Sequence, residues 1–97
     1  MTKEENKTKK DEIIANVKET LKISDSFHDK DLEVKLNDTI AFLKPKGIQE
    51  EVALTKYPYI IQRGISDLFN HDNYTQLFND MVVDAVLEEG TTNAQTN

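Results

Sequence analysis

Two adjacent His–Asp pairs, His28–Asp29 in "FHDKD" and His71–Asp72 in "FNHDN", come closest to catalytic chemistry in this sequence. Imidazole nitrogen and carboxylate oxygen together suit divalent metals. A metal centre needs further ligands converging on the same point, and the chain holds no other His and no Cys. Both pairs are therefore expected to be ordinary loop residues. Ser24, Ser26 and Ser66 lack the sharp turn that exposes a nucleophile. Gly47, Gly64 and Gly90 stand too far apart to form a phosphate-cradling loop. The acid pairs Glu50–Glu51 and Glu88–Glu89 read as solvated faces. No reaction is proposed by these residues, so the chain is expected to be no enzyme, with no catalytic residue, metal or cofactor.

A second function class is raised by "EEVALTKYPYIIQRGISDLF", two apolar-periodic runs joined by a short break. A DNA-reading helix-turn-helix would place a small residue, a Gly about four residues on, and buried aliphatics about ten and thirteen residues on. Counted from Ala53 those positions are Tyr57, Arg63 and Ser66, and none fits. The second helix would offer only Gln62 and Arg63 to a groove. Helix packing is the better expectation. Around Pro58, Tyr57 is expected to pack inward and Tyr59 to stand half covered.

Charge points the same way. Residues 1–63 hold all 12 Lys and Arg and 12 of the 18 acids, and so sum to zero. The other six acids, Asp67, Asp72, Asp80, Asp84, Glu88 and Glu89, lie in residues 64–97 with no base among them. The whole net charge of −6 thus sits in the last third. Duplex binding needs clustered Lys and Arg to displace phosphate counterions. The only basic cluster is Lys7, Lys9 and Lys10, so no specific nucleic-acid binding is expected. Acidic segments repel nucleic acid or line surfaces that must not hold it.

The elements that must carry these residues are helical. "MTKEENKTKK" has no apolar residue after its Met and is expected to be a disordered tail over 1–10. A first helix is expected from Asp11, with Thr8 or Asp11 as cap and Ile13, Ile14, Val17 and Leu21 on its apolar face. The loop "ISDSFHD" follows, with Phe27 expected to fold back onto the core. Leu32, Leu36, Ile40 and Leu43 form the stripe of a second helix starting after Asp29, stopped by Pro45 and Gly47. A short helical turn is expected within 48–55. Pro58 then suits the first turn of the next helix. That helix carries Tyr57, Ile61, Ile65 and Leu68 in one stripe, and its interior Gly64 implies a close neighbour. Thr75 can cap a last helix over 76–89, stopped by Gly90, with a disordered tail over 90–97.

The fold class is therefore all-α, a single bundle over 11–89 of four helices with room for a fifth short one. No apolar run approaches the roughly 20 residues that span a bilayer, and no signal segment is expected. At 97 residues the core is small, and without Cys the natural supplement is association. The last helix has apolar surface to spare. Leu77, Phe78, Met81, Val82, Ala85 and Val86 cover half its circumference, while Val83 and Leu87 fall outside that arc. Either a small core wraps the helix deeply, or Phe78, Met81, Val82, Val83, Val86 and Leu87 meet a second surface.

Three stretches carry a resemblance. "VKETLKI" (17–23), "DKDLEVKLNDTIAFL" (29–43) and "IIQRGISDLFNHDN" (60–73) resemble the small head-tail connector proteins (adaptor or head completion proteins) of tailed bacteriophages. The likeness covers roughly residues 12–73. Gly64, and Phe69 where Tyr is common, depart from the family pattern. The resemblance implies a virion protein of the head-tail junction, present in host cytoplasm during assembly. It implies docking beneath the portal protein as a ring of about twelve copies through heterologous contacts. Such a ring extends the DNA channel and receives the next connector or tail protein, and its subunit can be a monomer in isolation. An acidic surface of Asp80, Asp84, Glu88 and Glu89 would then suit a wall along which DNA slides. The alternative is a small acidic helical regulator, antitoxin-like or transcription-factor-binding.

Overall fold

The computed structural model describes residues 2–96, with side chains described over 2–90. Five helices run in chain order: α1 (Lys3–Leu21), α2 (Asp29–Leu43), α3 (Glu50–Lys56), α4 (Pro58–His71) and α5 (Gln76–Thr96). A single 3-10 turn, Lys44–Lys46, follows α2, and no strand occurs among the described residues. The chain is an all-α bundle, and the short helix expected near residue 50 is present as α3.

The first helix starts eight residues earlier than its apolar pattern suggests. Thr2 caps it from an extended conformation, its hydroxyl accepting the N–H of Glu5 at 3.1 Å. Glu4 and Glu5 lie in the first turn, where the helix dipole favours acids. Lys7 and Asp11 pair one turn apart at 3.1 Å. Asn6 Nδ2 donates to Glu50 Oε2 at 3.1 Å and Lys10 reaches Glu50 at 3.6 Å, tying this polar stretch to α3. Residues 2–10 are thus not the expected tail but helix and its cap, held by capping and charge rather than apolar burial. Only Ile13 and Val17 of α1 are fully buried.

In α2 the stripe of Leu32, Leu36, Ile40 and Leu43 is buried as expected, together with Thr39. The helix ends ahead of Pro45, and Gly47 reverses the chain at φ 99°, a conformation that favours glycine. Pro58 opens α4, where its missing N–H costs nothing. α4 lies at the centre, packed against α1, α2, α3 and α5. Accordingly it buries residues around most of its girth: Ile60, Ile61, Gly64, Ile65, Ser66 and Asp67. Gly64 has the close neighbours its position implies. A Cβ there would meet Thr39 Cγ2 at 2.7 Å and Phe78 Cε1 at 2.8 Å, so its absence lets α2, α4 and α5 converge.

Two further expectations are corrected. Phe27 does not fold back onto the core; it is 86% exposed. Asp25 holds it outward by accepting the Phe27 N–H at 2.9 Å in a local turn, which the backbone prefers to an unsatisfied amide. Gly90 does not stop α5, which runs on to Thr96 where a tail over 90–97 was expected. Gly47 is the one glycine with positive φ among the described residues, so Gly90 lacks the left-handed turn that ends a helix. Asn97 lies outside the described residues. No helix among them is long and apolar enough to cross a membrane.

Candidate interaction surface

The candidate site is the last helix, and its register fixes what each residue can do. At about 100° per residue, Phe78, Val82 and Ala85 share the inward face, and all three are buried. Phe78 stacks on Tyr74 with centroids 4.2 Å apart and meets Phe42 at 5.7 Å. Phe78 and Val82, expected at a second surface, therefore belong to this chain's own core, because the Gly64 notch admits the Phe78 ring. Met81 and Val86 are half-buried at the margins. Val83 and Leu87 point away from the core, 55% and 63% exposed.

Two polar anchors hold α5 in this register. At its start, the buried Asp67 accepts the N–H and hydroxyl of Thr75 and the guanidinium of Arg63. Burial alone would push the Asp67 carboxyl up, but the Thr75 hydrogen bonds and Arg63 outweigh it and leave it below the usual range. Toward its far end, the Tyr57 hydroxyl lies 2.8 Å from Glu88 Oε2 and 2.7 Å from Glu89 Oε2. Lys56 Nζ reaches Glu89 at 2.6 Å. Burial, then the two carboxylates, push the Tyr57 phenol well above its ordinary value. Lys56 first, with Tyr57 behind it, holds Glu89 low. Tyr57 packs inward and Tyr59 is half exposed, as the sequence implies.

These anchors sort the acids expected on one surface. Glu89 is turned inward, its side chain 16% exposed, and is no part of an open acidic wall. Glu88 is exposed but shares the Tyr57 hydroxyl. Asp80 and Asp84 stand on the outward side, one turn apart and exposed, beside Val83 and Leu87. Asp80 accepts from Gln76 at 2.8 Å, and neither Asp80 nor Asp84 forms an ion pair among the described residues.

Two depressions complete the surface. One of about 410 Å³ lies where α1, α4 and α5 meet, bordered by Val17, Tyr59, Arg63, Leu77 and Met81. The larger, about 700 Å³, runs between α1 and α2 over Ile14, Ala15 and Leu36, with Lys3, Lys7 and Lys10 along it. The lysines that a reading by apolar pattern leaves in a tail are thus set on a helix beside a cleft.

The His–Asp pairs are not brought together into a site. His28 is half-buried with its ring edge-on to Phe27 at 5.2 Å and to Phe69 at 5.4 Å, while His71 is exposed at the end of α4. Among the described residues no group of His, Cys, Asp and Glu could hold a metal ion. Sequence reasoning missed the buried Asp67, whose partner Thr75 is separated from it by a loop. It also missed the cap at Thr2, although "TKEE" carries the Thr-x-x-Glu signal. No family model, curated protein or solved structure matches the chain.

Proposed function

We propose that this chain is a structural assembly protein, a head-tail connector that docks as a ring on a phage portal. In that role it extends the DNA channel and receives the next connector or tail component. The observation that carries the reading is the two-sided α5. One face of the helix closes the domain's own core, and the opposite face presents Val83 and Leu87 to solvent on a helix pinned ahead of them at Thr75 and just after them at Glu88 and Glu89. A helix fixed in register with an outward apolar pair is suited to a second, repeated contact. The resemblance of residues 12–73 to connector proteins and the concentration of net charge in residues 64–97 support the same role. A base-free acidic segment near DNA favours passage over binding.

The test is the light-scattering mass of the purified chain, alone and mixed with a portal ring encoded near its own gene. Co-migration at a fixed stoichiometry is the expected result. A persistent monomer or dimer that ignores the portal overturns the connector reading in favour of a small regulatory protein.

A further inference from the structure

α1 carries two start signals, and the structure uses the outer one. "TKEE" places Glu5 three residues after Thr2, and "TKKD" places Asp11 three residues after Thr8. Each is a Thr-x-x-acid pattern able to open a helix. Thr2 is the cap in place, accepting the Glu5 N–H at 3.1 Å, while Thr8 lies exposed inside the helix. The turns between the two caps are held lightly. Residues 2–7 include no apolar side chain and none that is buried. Asn6 Nδ2 docks them on α3 through Glu50 Oε2 at 3.1 Å, but Asn6 Oδ1 is buried with no hydrogen-bond partner among the described residues. A buried acceptor left unmatched opposes the docked position, and release returns it to water. Lys7 pairs only along its own helix with Asp11, exposed at both ends, and such pairs add little. Beyond Thr8 the attachment is firmer, since Lys10 reaches Asn37 and Glu50 and the core buries Ile13 and Val17.

We infer that α1 is a two-start helix whose residues 2–7 form a releasable strap. In the long form Thr2 caps, and Lys3, Asn6 and Lys7 are among the residues lining the cleft of about 700 Å³ between α1 and α2. In the short form those residues leave the cleft and the helix begins at Thr8, whose hydroxyl accepts the Asp11 N–H. Asp11 gives up Lys7 and joins the new first turn, where the helix dipole favours an acid. This inner start is also the one that the apolar pattern from Ile13 onward marks. Charge favours the long form, which has Glu4 and Glu5 in its first turn where the short form has Lys9 and Lys10. The short form is therefore the minor state. The switch does not depend on the chain being a connector.

Two matched substitutions give the test, read residue by residue by NMR amide hydrogen exchange of the full chain. Valine keeps the branched shape and helix propensity of threonine but lacks its hydroxyl. Thr2→Val removes the outer cap, so the amides of residues 6–10 should exchange about fivefold faster, the factor that loss of one cap corresponds to. Thr8→Val removes the cap of the short form alone, so the same amides should exchange about fivefold slower. Thr8→Ser keeps the hydroxyl and should exchange as wild type does. The amides of Val17 and Leu36 should be unchanged in all three, which shows an intact fold. A Thr8→Val chain that exchanges as fast as wild type or faster overturns the inference, because fraying from the helix end makes no use of Thr8. Rates that rise smoothly toward Thr2 with no step between Lys10 and Glu12 overturn it too, as does a change that spreads to Val17.

Discussion

Thr75 gives both its backbone N–H and its hydroxyl to one oxygen of Asp67, at 3.0 and 2.7 Å, while Arg63 takes the other oxygen at 2.9 Å. A fully buried carboxylate is thereby satisfied from two sides, and the entry into α5 is fixed to the middle of α4. Removing the carboxylate strands Arg63 and both Thr75 donors. Asp67→Ala should therefore destabilise the domain by about 3 kcal/mol or more, read as a shift in the urea midpoint.

The pH dependence follows from the same group. Its carboxyl is lower in the folded chain than in the unfolded one, so the unfolded state binds the proton first as pH falls. The stability it contributes is full above the ordinary carboxylate range and is lost as pH drops through its folded value. Asp67→Asn should flatten part of that acid loss, seen by comparing thermal melts of the two chains between neutral and acid pH.

Gly64→Ala sets two opposing effects against each other. A helix interior gains about 1 kcal/mol from the change. The new Cβ would lie 2.7 Å from Thr39 Cγ2 and 2.8 Å from the Phe78 ring, both fully buried. Overpacking of that kind costs about 1–3 kcal/mol, and a β-branched side chain and a ring held among its neighbours yield little. The variant should be less stable than wild type in urea, and adding Thr39→Ser, which deletes Cγ2, should recover part of the loss.

Tyr57→Phe removes the hydroxyl that Glu88 and Glu89 share. Hydrogen bonds to charged acceptors are worth about 1.5–3 kcal/mol, so a loss of that order is expected in equilibrium unfolding. Glu89 is held low by Lys56 and Tyr57, and its contribution likewise disappears as pH falls. The variant's stability should therefore depend less on acid than that of wild type.

Val83→Lys with Leu87→Lys addresses assembly rather than folding. Both positions are more than half exposed, so the unfolding free energy should change by no more than about 0.5 kcal/mol per site. Self-association and portal binding should be lost. Unfolding of the double variant would place both residues in the domain's own core and defeat the interface assignment.

What the sequence discloses here is what apolar spacing and backbone-special residues control. Leu32, Leu36, Ile40 and Leu43 recur at helical intervals and are all buried; Pro45, Gly47 and Pro58 sit where their geometry requires. The close neighbour of Gly64 is legible because an interior glycine needs one, but the identity of Thr39 and Phe78 is not. Residues 3–10 escape a reading by apolar pattern because charge pairs and a cap carry them. Phe27 misleads for the opposite reason, since a local turn at Asp25 overrides its hydrophobicity. On α5, periodicity separates Val83 and Leu87 from the rest, yet only packing shows that Phe78 and Val82 are spent inside the domain. Glu89 leaves the acidic face because Tyr57 and Lys56, more than thirty residues away, reach it.

The Gly64 notch also bears on the order in which the chain is made. Phe78, the ring that meets it, belongs to α5, which leaves the ribosome after α2 and α4, as do both acceptors of the Tyr57 hydroxyl. Until then the nascent chain holds a cleft between Thr39 and Gly64 with nothing to fill it, and Asp67 waits for Thr75. The core closes only once α5 has emerged, and α5 is the keystone.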